Sequence, residues 1–190
     1  MVIPEFDDSP LIVPFNKVTM KFGWLGNMSP YPIQYGGYSW RTSEHLFQAL
    51  RLREEGVVNR DGEAVSAREL IRSKESPMMA KWAYRGITRD HPELIEVTPR
   101  SPEDLNLMRM VLRLKFDQHP RLVKALCQFH TDTVFIENVT SRPNKVSSEY
   151  WGARLIAEDR WRGHNWLGRL IAEARDELRQ KMEANQSSQG

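Results

Sequence analysis

Tyr38-Ser39-Trp40-Arg41-Thr42-Ser43-Glu44-His45-Leu46-Phe47-Gln48-Ala49-Leu50-Arg51 is the stretch whose reading decides the fold. Thr42 or Ser43 can cap a helix there, because a hydroxyl at that place accepts from an amide left without a partner in the first turn. Behind the cap, Leu46, Phe47, Ala49, Leu50 and Leu52 follow helical spacing, and Leu46, Phe47 and Leu50 can bury. Glu44, Gln48 and Arg51 stand at i, i+4 and i+7, so they share one polar stripe. In an arbitrary helix such a stripe is most often a solvated face.

Working outward, more helix starts appear. Ser76-Pro77 and Ser101-Pro102-Glu103-Asp104 each set an N-cap serine before a proline at the first helical position, and the second adds acids in its first turn. Leu105, Met108, Leu112 and Phe116 then line one face, and Leu122, Val123, Leu126 and Phe129 repeat the pattern after Pro120. A last helix from about Asn165 carries Trp166, Leu167, Leu170, Ile171, Ala174 and Leu178. Strands are fewer: Val18 to Lys21, Ile33 to Tyr38, and Thr133 to Val139. Val57-Val58 and Ala64-Val65 flank an Asp61-Gly62 turn and read as a small hairpin. The fold class expected is α+β, a mainly helical single domain with a small β-sheet. That domain covers 15–183, after an extended lead-in at 1–14 punctuated by Pro4, Pro10 and Pro14, and before a polar, disordered tail at 184–190.

Composition narrows the function classes. The 190 residues suit one domain that can bury a core without disulfides or a structural metal. The lone Cys127 excludes an intrachain disulfide and a cysteine-based zinc site. No apolar run approaches the ~20 residues needed to span a bilayer. Met1-Val2-Ile3-Pro4-Glu5 lacks the basic-then-apolar pattern of a signal peptide, so a cytoplasmic protein with no membrane partner is expected. The formal net charge of +2 is too small to announce a nucleic-acid binder. Of the 27 basic residues, however, 19 are arginine, the planar cation suited to carboxylates and phosphates. A GC-rich genome or an anionic, phosphate-bearing ligand would each account for that bias.

Generic motifs are missing. The chain has no glycine-rich dinucleotide or phosphate loop, no His-Glu-x-x-His and no Gly-x-Ser-x-Gly elbow. His45, His91, His119, His130 and His164 lack ligand spacing, and no metal or other cofactor is expected. Five local strings remain: Gly23-Trp24-Leu25-Gly26-Asn27-Met28 with Pro32-Ile33; Ser43-Glu44-His45-Leu46-Phe47-Gln48-Ala49-Leu50-Arg51; Ser76-Pro77-Met78-Met79-Ala80; Lys115-Phe116-Asp117-Gln118-His119; and Tyr150-Trp151-Gly152 followed by Gly163-His164-Asn165-Trp166-Leu167-Gly168.

In these strings and their order the chain resembles the YbiA-like, or NADAR, family over about residues 22 to 180. The resemblance implies a YbiA-like fold and N-glycosidase chemistry: hydrolysis of the bond between a base-like nitrogen and ribose in a phosphorylated ribosyl compound. The substrate classes it implies are phosphoribosylaminopyrimidines of riboflavin biosynthesis and ADP-ribosylated guanine. Glu44 matches the family's catalytic glutamate. A carboxylate there can stabilise an oxocarbenium-like cation or position water, and the first helical turn favours its ionised form.

Arg51 stands where many members carry a lysine for which a Schiff base with ribose has been proposed. A guanidinium cannot supply the neutral amine, but it can clamp a phosphate or pair with Glu44. Ser148 replaces an aspartate found in several members, with Glu149 one step along, and Asn27-Met28 replaces Asn-Phe. The matching motifs put Trp24, Asn27, His45, Gln48, Trp151, Gly152 and Asn165 at the substrate, with Trp24 and Trp151 suited to stacking on a base. Arg154, Arg160, Arg162 and Arg169 could receive phosphate, or could equally form a solvated basic face. A rival reading from a different class is a non-catalytic module of the same fold that binds ADP-ribose or a nucleotide. DNA or RNA carrying ADP-ribose is the least favoured partner, because +2 is a weak charge for it.

Overall fold

The computed structural model describes residues 5–7, 11–140, 146–158 and 160–187. Chain order gives β1 (Glu5–Asp7), β2 (Ile12–Phe15), β3 (Ile33–Tyr35), β4 (Tyr38–Trp40), α1 (Ser43–Leu50), β5 (Val57–Arg60), β6 (Glu63–Ser66) and α2 (Ala67–Arg72). There follow α3 (Pro77–Asp90), α4 (Pro102–Gln118), α5 (Pro120–Leu126), β7 (Val134–Glu137), α6 (Val146–Trp151), β8 (Arg154–Ala157), β9 (Arg160–Arg162) and α7 (Trp166–Ser187). The architecture is α+β and mainly helical. Its strands, only three or four residues long, form one three-stranded and three two-stranded sheets among the described residues instead of a single small sheet. The elements fall into two compact units, one continuous (Asn27–Gln118) and one split (Met1–Gly26 with His119–Gly190).

In the continuous unit, Thr42 is the N-cap of α1: its backbone is extended and its hydroxyl accepts from the His45 amide. Helix α1 packs against α2, α3 and α4, so every residue from Ser43 to Ala49 is buried. Leu46, Phe47, Ile71, Ala80, Met108, Leu112 and Phe116 make the core around it. Each large side chain buried there contributes about 1.5–3 kcal/mol. The expected strand from Ile33 to Tyr38 is instead the hairpin β3–β4, because Gly36 and Gly37 both take positive φ (60° and 78°) and reverse the chain. Gln118 seals the edge of β3: its Oε1 accepts from Gln34 N at 2.7 Å and its Nε2 donates to Gln34 O at 3.0 Å. Strands β5 and β6 form the expected hairpin about Asp61-Gly62.

In the split unit, β2 runs parallel to β7, and α7 lies on β7. Strand β9 is sandwiched between β1 and β8, antiparallel to both, and Ile136, Ala153 and Trp161 form a core cluster. Part of the proline-punctuated lead-in is thus paired strand, while 1–4 and 8–10 lie outside the described residues. The strand expected at Val18 to Lys21 does not form. Lys17 O and Met20 O accept from Met20 N and Gly23 N, which turns the segment, and Val18 and Met20 stay exposed with no strand beside them. Helix α7 continues through Ser187, past the expected start of the tail, since Glu183 and Ala184 are good helix formers and Ser187 Oγ donates to Glu183 O. Ser188–Gly190 lie outside the described residues.

Candidate active site

The polar stripe of α1 exists, and it is buried. Glu44, Gln48 and Arg51 are 1%, 2% and 7% exposed, so the stripe is not a solvated face. Its polar groups satisfy one another in a chain. Gln48 Nε2 donates to Glu44 Oε1 at 2.8 Å, and Arg51 Nη1 donates to Gln48 Oε1 at 3.3 Å. Asn27 reaches Glu44 twice: its Nδ2 donates to Oε2, and its carbonyl accepts from the Glu44 amide at 2.9 Å. Lys81, one turn into α3, brings its ammonium to 3.6 Å from Glu44 Oε1 and remains 29% exposed. Both carboxylate oxygens of Glu44 therefore act as acceptors, and Asn27 and Lys81 are the members of the group that meet solvent.

Arg51 pairs with neither Glu44 nor open solvent. Its Nε and Nη2 donate to the two oxygens of Asp104 at 2.7 and 2.6 Å, a bidentate fork, and its guanidinium lies 4.1 Å over the Phe47 ring and 5.3 Å from that of Tyr84. Asp104 also accepts from the Arg100 amide. The expected phosphate clamp at Arg51 is thus already occupied by a carboxylate of the same unit. Burial raises the Tyr84 phenol, against the pull of Arg51.

His45 is likewise consumed by the fold. Its Nε2 faces the Lys74 carbonyl at 3.1 Å, which can only accept, and its Nδ1 faces Thr42 Oγ1 at 2.8 Å. With both ring nitrogens engaged, His45 ties α1 to the segment that follows α2. Burial pushes its imidazole below the ordinary range, while the Lys74 carbonyl and Glu44 pull it up and Arg41 pushes it down. Lys115, fully buried in α4, donates to Ser29 Oγ at 2.9 Å and lies over the rings of Tyr31 and Phe116. Desolvation lowers its pKa to about 7.

Trp24, Trp151, Gly152 and Asn165 belong to the split unit. Trp24 stacks at 6.4 Å on Phe129, and half-buried Trp151 meets Tyr150 edge-on. Gly152 has a packing role: a Cβ there would stand 2.2 Å from Glu137 O. Asn165 is 3% exposed, and its side-chain amide serves β7, with Nδ2 donating to Phe135 O and Oδ1 accepting from Glu137 N. Both residues hold the β7–α7 junction.

Sequence reasoning passed over Lys81 and Asp104. Lys81 directly follows the Ser76–Ala80 string, so its place beside a matched motif was a usable signal. Asp104 reads as an ordinary first-turn acid, yet Asp104, Met108, Val111 and Lys115 share one buried helical face, and a charge on such a face asks for a partner.

The family model of the NADAR domain matches residues 14–179. N-glycosidase YbiA of Escherichia coli (strain K12) is 31% identical over 167 residues, covering 88% of each chain, as is its counterpart in Shigella boydii serotype 4 (strain Sb227). The NMR structure of the E. coli protein YbiA superposes with a TM-score of 0.65 at 28% identity, covering 93% of this chain and 89% of that one. Among the described residues no helix is long and apolar enough to cross a membrane.

Proposed function

The chain belongs to the NADAR family, and we propose that it is an N-glycosidase that hydrolyses a base–ribose bond in a phosphorylated ribosyl compound at Glu44. One observation carries this reading: a buried carboxylate in a first helical turn, oriented by Asn27 and Gln48 and approached by the Lys81 ammonium. As the C1′–N bond breaks, positive charge develops on the ribose ring, and an oriented carboxylate stabilises it or aligns the attacking water. Water adds to C1′, and its proton ends on the departing nitrogen. Any lysine-dependent step at this carboxylate falls to Lys81 and not to the position of Arg51, whose guanidinium is locked on Asp104. Phosphoribosylaminopyrimidines and ADP-ribosylated guanine are the two substrate classes to offer, and a cytoplasmic setting suits both.

The test is release of free base, followed by chromatography, from ADP-ribosylated guanosine and from a phosphoribosylaminopyrimidine. Glu44→Gln keeps the size but removes the charge and one of the two acceptor oxygens that Asn27 and Gln48 engage, and should cut release about a hundredfold or more, with the fold checked by circular dichroism. Undiminished release in that variant would remove Glu44 from the mechanism. The second reading, a binding module, is favoured by the same Arg51–Asp104 lock, which leaves no amine at the position where relatives carry one. Calorimetric binding of ADP-ribose with no base released over hours decides for it.

A further inference from the structure

Glu149 belongs to the split unit and is the centre of a second charged cluster. Arg154 on β8 and Arg162 on β9 are directly opposed in the antiparallel ladder, so their side chains leave the same face of the sheet. Both reach the carboxylate of Glu149 on α6, and both reach the same oxygen. Oε1 lies 3.1 Å from Arg154 Nη2 and 3.6 Å from Arg162 Nη2. The two guanidinium groups share this one oxygen, and Glu5 of β1 stands opposite Arg162 in the ladder on its other side. The Nε–H of each arginine is also buried with no acceptor among the described residues. Buried donors are nearly always paired, so two orphans in one place mark a missing acceptor. The place is reachable, since the side chains of Arg154 and Arg162 are 21% and 36% exposed.

We propose that Arg154 and Arg162 form a binding site for a phosphate dianion. A carboxylate is planar and can fill one guanidinium fork, as Asp104 does for Arg51. Two guanidinium groups that share one oxygen and keep an unpaired Nε–H each need more acceptors, and a phosphoryl group brings three terminal oxygens and a charge near −2. Glu149 holds the two arginines together in the absence of the anion and competes with it when it arrives. The source of the group is either inorganic phosphate or the phosphoryl end of a sugar phosphate.

Calorimetric titration of the full chain with inorganic phosphate and with ribose 5-phosphate, in low-chloride buffer, tests this. The wild type should bind at least one of them. Binding of ribose 5-phosphate with displacement of inorganic phosphate assigns the site to a sugar phosphate, and binding of inorganic phosphate alone assigns it to the free ion. The double variant Arg154→Lys, Arg162→Lys keeps both charges but loses both forks, and should bind about tenfold more weakly or worse. Glu149→Gln removes the competing charge and should bind about threefold tighter or better. No heat with either ligand, equal affinity in the double variant, or weaker binding after Glu149→Gln each overturns the proposal. Should the double variant melt out on purification, phenylglyoxal modification of the wild type mapped by mass spectrometry replaces it: phosphate must shield Arg154 and Arg162, and an unshielded pair refutes the site.

Discussion

Arg51 and Arg175 are both buried, one in each unit, and their terminal nitrogens are spent differently. Arg51 meets a carboxylate, so its charge is cancelled where it stands, one hydrogen bond away from Gln48 and two from Glu44. Arg175 spends its two terminal nitrogens on the neutral carbonyls of His130, Thr131 and Thr133, and Asp176 pairs with its Nε at 2.8 Å. The difference separates two uses of one residue type. Cancelling Arg51 leaves Glu44 and Lys81 to set the charge of the candidate active site. Arg175 holds the turn before β7 on α7, where its many donors matter more than its charge.

Asp104→Ala is the strongest way to break that comparison, because it leaves the guanidinium of Arg51 buried without its carboxylate. The expected loss is about 3–5 kcal/mol in urea unfolding. A loss of under about 1 kcal/mol, the scale of an exposed pair, would show that Arg51 can turn to water. Arg175→Met removes a charged donor from three carbonyls and should cost about 2–3 kcal/mol, with faster hydrogen exchange confined to 130–134 and unchanged base release. Altered base release would make Arg175 more than scaffold.

Lys115 sharpens the comparison as a third buried cation, held by a hydroxyl and two ring faces. An unfolded lysine binds its proton below 10.5, whereas folded Lys115 does so only below about 7. Between these values the unfolded chain carries the extra proton, so stability should fall as pH falls, by up to about 1.4 kcal/mol per pH unit. Lys115→Met should remove that slope, and its persistence in chemical denaturation would show that Lys115 keeps its charge when folded. His45 gives the smallest effect. Its depressed imidazole stabilises the fold above 6.5 and should lose that contribution as pH falls below 6.5. The decline should be milder in His45→Asn, and an unchanged profile would free His45 from its neutral, doubly bonded role.

The helix starts were legible because caps are local chemistry: Thr42, Ser76 and Ser101 each accept from an amide three residues on. The i, i+4, i+7 stripe was legible for the same reason. Its burial was not, since α2, α3 and α4 cover it from positions far along the chain. Strands β1, β8 and β9 carry no apolar alternation that stands out, and they exist by pairing with partners up to about 150 residues away. Asn165 and Gly152 matched a motif, but matching could not tell a ligand contact from a β7 contact. Nor could it show that the His45 ring meets a carbonyl 29 residues distant.

The parallel pairing of β2 with β7 has a consequence for the order of assembly during synthesis. Ile12 cannot meet Val134 until more than a hundred further residues have left the ribosome, whereas every segment of the Asn27–Gln118 unit has emerged by then. The unit that carries Glu44 is free to fold first, with local contacts that close quickly, and the split unit must wait for its C-terminal half. A chain stalled before Val134 would therefore expose β2 as an unpaired edge while the Glu44 network was already built.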